Sequence, residues 1–375
     1  MNDQCDKEQP DAGGVNTPLM PSHGFVRGRP HRGARSQCKG SVMSLLTQFN
    51  QYDAKGARRV SDATKRERGD FLLRCVNDLH ENGFKMRDIT NICAKHITCL
   101  VKVWELRGYS ASALQKYKSC LRTLLTWAGR DQLAKQLDRV VNEALTDPAR
   151  ILRIRVATED KSWGSRLDDP LAKIEEVAKD DDRVGMCLRL QSAFGLRVRE
   201  AWLLDPATAF EGINLSRRVL PVIRGTKGGR PREIPVTTPA QVELLREAVK
   251  HVDPRTRTLI PAKWSFESWS AHFYRICRRH GISRKDGIVT HGLRHGYAID
   301  RYETISGLER PLIAGKPKDP EAKSADARAR DMVSRELGHG RRSITSAYLG
   351  PNGPLRNPQS TDTARSGLRQ KDKST

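Results

Sequence analysis

Between Ser41 and Asp147 apolar side chains return every three or four residues, the interval at which an α-helix presents one face. Phe71, Leu72, Cys75 and Leu79 form one stripe; Ile89, Ile92, Cys93, Leu100 and Trp104 a second; Leu114, Tyr117, Leu121, Leu124, Leu125 and Ala128 a third. Gly83, Gly108 and Gly129 follow the three stripes, where the C-terminal caps of helices belong. Short helices with one apolar face each can hide it only against one another. Residues 41–147 are therefore expected to form a small helical bundle, with Tyr117 and Trp127 in its core rather than stacked on bases. Its outer faces carry Lys102, Arg107, Lys116, Lys118 and Arg122, candidate contacts for an anionic partner.

Beyond a loosely patterned link at 148–166 the sequence changes character. Helical segments are expected near Leu171–Ala178 and Val184–Phe194, then near Pro239–Val249 and Ser265–His280. Between these pairs lie two extended runs, Arg218–Arg224 and Arg232–Val236, separated by a turn that holds Gly228 and Gly229. That pattern predicts a β-hairpin. Residues 167–350 thus read as a mainly α domain with a small β-sheet, an α+β domain behind an N-terminal helical one. A flexible basic leader is expected at 1–40, including the arm Gly24–Arg35, and a flexible tail at 351–375.

Charge narrows the function. Sixty-seven lysines and arginines against 44 acids leave a formal charge of +23, which calls for a polyanionic partner, and double-stranded DNA is the expected one. No run of about 18 apolar residues suits a membrane span, and the polar start lacks the apolar core of a signal peptide. A cytoplasmic, nucleoid-associated protein with no membrane contact is expected. None of the eight cysteines forms a C-x-x-C pair, so reduced structural thiols are expected.

Four short segments carry the chemistry. AFGLRVRE, Ala193–Glu200, breaks one helix at Gly195 and starts another with Arg197; Lys227 sits in the hairpin turn. HGLRH, His291–His295, sets His291 and Arg294 on one face of a helical turn. LGHGRRSITSAYL, Leu337–Leu349, holds His339 and, nine residues on, Tyr348. Singly each is weak. Jointly they supply two guanidinium forks for a phosphate, a lysine, histidines and a phenolic nucleophile. The acids neighbouring these segments make no two-carboxylate cluster, and no phosphate-binding G-x-x-x-x-G-K-[ST] is present. Neither a metal nor another cofactor is expected.

In this order the segments resemble those of the tyrosine recombinases, or phage integrases, most of all the integrases of prophages and genomic islands. The resemblance implies a catalytic set of Arg197, Lys227, His291, Arg294, His339 and Tyr348, with Glu200 and His295 in support. It implies a site-specific recombinase that cleaves and rejoins DNA through a 3′-phosphotyrosyl intermediate, to integrate or excise a mobile element. It also implies a homotetramer on paired attachment-type sites, with accessory factors that bend DNA or set direction. A type IB topoisomerase-like relaxing enzyme and a non-catalytic DNA-binding factor of the same fold are the alternatives. One departure stands out. Arg294 and His339 are 45 residues apart, and the excess is expected in an inserted loop at Pro311–Arg328.

Overall fold

The computed structural model describes residues 33–53, 57–152, 155–214 and 218–351. The chain divides into two compact units, Met1–Arg153 and Ile154–Thr375.

The first unit is helical throughout: α1 (Ala34–Phe49), α2 (Asp62–Glu81), α3 (Ala94–Leu106), α4 (Ala111–Trp127) and α5 (Asp131–Ala144). Ser61 and Ser110 cap α2 and α4 by accepting bonds from the backbone N–H three residues on. At the other ends Gly83, Gly108 and Gly129 take positive φ. Each lets the next residue donate back into the last turn: Phe84 to Leu79, Tyr109 to Trp104 and Arg130 to Leu125. The second stripe proves to be two elements. Ile89–Asn91 is a 3-10 turn, and α3 starts only at Ala94. The core joins all five helices. Phe71 stacks on Tyr117 at 4.5 Å between centroids, Trp104 packs beside both, and Trp127 is buried against Phe49.

The second unit holds α6 (Pro170–Asp180), α7 (Asp182–Phe194), α8 (Val198–Trp202), α9 (Pro206–Asn214), β1 (Val219–Val222), β2 (Arg232–Pro235), α10 (Pro239–Val249), α11 (Phe266–Arg279), α12 (His291–Ser306), α13 (Pro311–Ala314), α14 (Pro320–Glu336) and α15 (Ser346–Leu349). β1 and β2 pair antiparallel, with Leu220 opposite Ile234 and both fully buried. α12 runs through the middle, packed on α7 and α14. Its first turn is approached so closely by Trp163 that a Cβ at Gly292 would lie 2.6 Å from the indole. The Trp163 Nε1 donates to the Val289 carbonyl at 2.8 Å.

Four expectations need correction. The supposed leader is folded from its last residues, since α1 begins at Ala34; residues 1–32, and with them most of Gly24–Arg35, lie outside the described residues, as does the tail from 352. The stretch 148–166 is no free linker. Its start forms a 3-10 turn with Ile151 buried, and its end packs into the second core through Trp163. Pro311–Arg328 is not a loop. Asp319 caps α14, whose regular helical face buries Ala329, Arg330 and Val333, so the polar composition hid a one-sided helix. Finally, Arg197 stands at the N-cap position just ahead of α8 instead of lying within it, and its N–H donates to Glu200 at 2.7 Å.

Among the described residues no helix is long and apolar enough to cross a membrane. Their seven cysteines are free thiols. Burial raises the Cys38 pKa to about 11 and that of Cys277 to about 12, which keeps both unreactive.

Candidate active site

The site is assembled on Arg294. It lies in the first turn of α12 with no exposed surface, so each of its donors must find a partner inside the protein. Nη1 donates to the carbonyl of Gly195 and Nη2 to that of Leu337. Those carbonyls are free because a helix ends at each: α7 stops at Gly195 in the left-handed conformation, and α14 stops at Leu337. No other residue type fits at Gly195, where a Cβ would come 2.4 Å from the Tyr297 ring. Burial lowers the Arg294 pKa to about 10, which leaves it charged at neutral pH.

Glu200 supplies the countercharge. It is fully buried at the third position of α8 and accepts 2.7 Å bonds from the Arg197 backbone and from the Arg197 Nη1. Arg232 grips both of its oxygens, at 2.7 Å each, and Arg294 Nη1 stands 3.9 Å away. Burial would raise the Glu200 pKa, but the hydrogen bonds and charges of Arg232 and then Arg197 hold it down to about 2. Three guanidiniums thus surround one carboxylate, a surplus that a phosphodiester would neutralise.

Tyr348 faces this surplus. Its hydroxyl is 3.5 Å from Arg294 Nε and 3.3 Å from His339 Nε2, while the side chain is almost wholly buried. Its ring lies 4.6 Å from that of His295 and 6.1 Å from that of His291. His339 is aimed back into the site by the turn at Gly338: its N–H bonds the Ser334 carbonyl at 2.7 Å, and the Ser334 hydroxyl returns a bond to its carbonyl. Burial, then the charges of Arg294 and Arg197, lowers the His339 pKa to about 4. Burial and then His291 do the same for His295. Protein around the His291 ring, with Arg294 and Arg197 behind it, also brings that group to about 4, although its open face lets solvent soften the effect. All three imidazoles are neutral at neutral pH.

The structure therefore brings Arg197, Glu200, His291, Arg294, His295, His339 and Tyr348 together. Lys227 stays apart, exposed in the 3-10 turn between β1 and β2, though its charge is felt at His339. Tyr297 and Tyr302, the tyrosines that follow HGLRH, donate to Glu336 and Asp326 at 2.7 Å and point into the core. Arg232 is the partner that sequence reasoning missed. A signal was present, because period-two alternation in β2 puts Arg232 on the same inward face as Ile234. Of the candidate DNA contacts, Lys102 is exposed on α3. The others already meet carboxylates: Arg107 grips Asp78, Lys116 meets Glu67, and Lys118 and Arg122 share Asp138.

Two family models match this chain. That described as phage integrase, N-terminal covers residues 44–134, and that described as integrase covers 154–300, together more than half of the sequence. The chain belongs to the phage integrase family of tyrosine recombinases. It is a site-specific recombinase, and DNA is its partner. The second match ends before His339 and Tyr348, whose place in this recombinase rests on geometry alone.

No curated protein matches the chain significantly. Among solved structures, a Tn1549 transposon integrase in complex with transposon right-end DNA aligns over 82% of this chain and 94% of that one, at 12% identity and a TM-score of 0.48. The same integrase with circular intermediate DNA aligns over 82% and 95%, at 15% identity and 0.46. XerA recombinase aligns over 83% and 94%, at 17% identity and 0.34. Likeness of this degree decides nothing further about this recombinase.

Proposed function

We propose that this recombinase cuts and rejoins duplex DNA through a 3′-phosphotyrosyl link on Tyr348, and so integrates or excises a mobile element. The observation that carries the proposal is the Tyr348 hydroxyl, set between Arg294 Nε at 3.5 Å and His339 Nε2 at 3.3 Å. Arg197 and Arg294 clamp the non-bridging oxygens as charge builds there, in a site where protein excludes water. The phenolic oxygen attacks phosphorus, the bond from phosphorus to the 5′ oxygen breaks, and the phenolic proton leaves. His339, neutral and nearest the hydroxyl, is the better placed to take that proton; His291 and His295 orient the ring. Lys227, on its exposed turn, protonates the departing 5′ oxygen. The phosphotyrosyl ester conserves the bond energy, and a 5′ hydroxyl of another strand reverses the steps.

Lys102, Arg107, Lys116, Lys118 and Arg122 exchange water or a carboxylate for DNA phosphate when the helical unit binds. The full assembly is a homotetramer on two paired attachment-type sites, with accessory factors that bend the DNA or set direction.

The test is covalent trapping on a nicked duplex made from the element's own ends. The full-length protein should form an adduct, and mass spectrometry of its digest should place the nucleotide on Tyr348. Tyr348→Phe should bind DNA normally and form none. An adduct on Tyr297 or Tyr302, or one that survives in Tyr348→Phe, overturns the proposal.

A further inference from the structure

The helices that fill the long interval before His339 hold a second buried arginine. Arg330, on α14, has no exposed surface and no role in the chemistry above. Its Nε donates to Asp326 Oδ1 at 2.8 Å, and the Tyr302 hydroxyl shares that oxygen at 2.7 Å. The rest of the guanidinium reaches a different part of the chain. Nη1 lies 3.4 Å from the Thr345 hydroxyl and 3.3 Å from the Gly350 carbonyl, and Nη2 lies 3.3 Å from the Pro351 carbonyl. These acceptors stand on both sides of Tyr348, three residues before it and two and three after it.

A second latch lies on the same segment. Gly350 has φ +88° and presses on α13, where a Cβ would come 2.8 Å from both the backbone nitrogen and the Cα of Leu312. α15 itself is a single turn of four residues, too short to hold its own orientation. What sets the direction of the Tyr348 side chain is therefore what grips the ends of that turn. Both of these grips come from Pro311–Glu336, the stretch that lengthens the interval; at the start of the turn the Ser346 carbonyl also accepts from the Ala157 N–H at 2.7 Å.

We infer that Arg330 is a positioning residue for the nucleophile: with the Gly350–Leu312 contact it fixes the Tyr348 turn, so that the phenol stays beside Arg294 and His339 where the phosphate is to be attacked. The inference rests on Tyr348 being the nucleophile. Arg330 touches neither the tyrosine ring nor the phosphate and acts only through the main chain around the turn. Asp326 and Tyr302 keep the guanidinium aligned, since a planar fork held at one edge can aim its other donors.

The experiment follows adduct formation in a single turnover by the full-length protein on the nicked duplex, alongside DNA affinity and thermal melting. Arg330→Met should bind DNA as the parent does and form the adduct about 10²-fold more slowly, the scale on which misplacing a reacting group by about 1 Å acts. A bridging sulfur in place of the 5′ oxygen should not restore the rate, because attack is at fault and not departure; the same substrate should rescue Lys227→Ala. Should Arg330→Met fail to fold, Gly350→Ala tests the other grip without burying a new polar group, and the same selective loss is expected. A folded Arg330→Met or Gly350→Ala that cleaves at the parental rate overturns the inference, as does rescue of either by sulfur. An adduct that survives in Tyr348→Phe overturns it by removing its premise, and that outcome is read on a separate variant.

Discussion

The two units keep their charges in opposite places. In the helical unit the core is aliphatic and aromatic, and most ion pairs lie at the surface, as with Lys118 and Arg122 on Asp138. In the catalytic unit Glu200, Arg294, Arg330, Glu336 and Asp326 are all buried. A surface pair gives little stability and can open to receive a phosphate. A buried guanidinium cannot relax toward water, so its direction is set before DNA arrives, and such preorganisation lowers a barrier. One unit keeps its charge where it can be exchanged, the other where it is fixed.

The largest expected effect tests the buried side. Glu200→Gln keeps shape but leaves Arg197, Arg232 and Arg294 without their countercharge, and should cost about 3–5 kcal/mol in urea unfolding of the catalytic unit. A loss no bigger than that of a surface pair would erase the contrast. Arg294→Lys keeps the charge yet cannot reach both the Gly195 and Leu337 carbonyls and still face Tyr348. Adduct formation should fall by ~10²–10³, and cleavage near the parental rate would reduce Arg294 to a structural role.

Acid should separate the units next. His295 and His339 have pKa values of about 4 in the folded unit against 6.5 unfolded. Between these values the unfolded chain binds more protons, so the stability they contribute is complete above about 6.5 and is lost as pH falls toward 4. Below that, Glu200, held down to about 2 against 4.5, carries the decline further. Unfolding curves at pH 7 and pH 4.5 should show a drop in the catalytic unit that His295→Gln and His339→Gln diminish. Equal curves at the two pH values would contradict it.

The smallest effect concerns the surface side. Asp138→Ala should cost the helical unit less than about 1 kcal/mol. By freeing Lys118 and Arg122 it should tighten DNA binding at low salt and steepen the salt dependence, by about one unit of log–log slope per added phosphate contact. Weaker binding would mean that these cations do not face DNA.

Legibility in the sequence followed the same divide. The helical unit could be read from Phe71, Trp104, Leu121 and their neighbours, because a solvated helix with one apolar face writes its period into the chain. Its three closing glycines were equally plain. The candidate site could be read as an ordered set of residue types from Arg197 to Tyr348, all of which but Lys227 the fold brings together. Arg232 and Arg330 were not, since an arginine that will be buried looks in sequence like one that will be solvated. α14 was missed for the same reason: its buried face is formed partly by Asp326 and Arg330.

By itself, then, the sequence determined what is local: the helices of the first unit, the β1–β2 hairpin, the single helical turn that pairs His291 with Arg294, and the kinds of group available for phosphoryl transfer. These depend on periodicity, capping and turn chemistry over a few residues. Only the tertiary structure decided which histidine lies nearest the Tyr348 hydroxyl, which carbonyls hold Arg294, and which helix grips the Tyr348 turn. Those contacts join residues 43 to 99 positions apart at Arg294 and 15 to 21 apart at Arg330. Their energy comes from desolvated charge whose partners the whole fold must supply, and no stretch of sequence names a partner that far away.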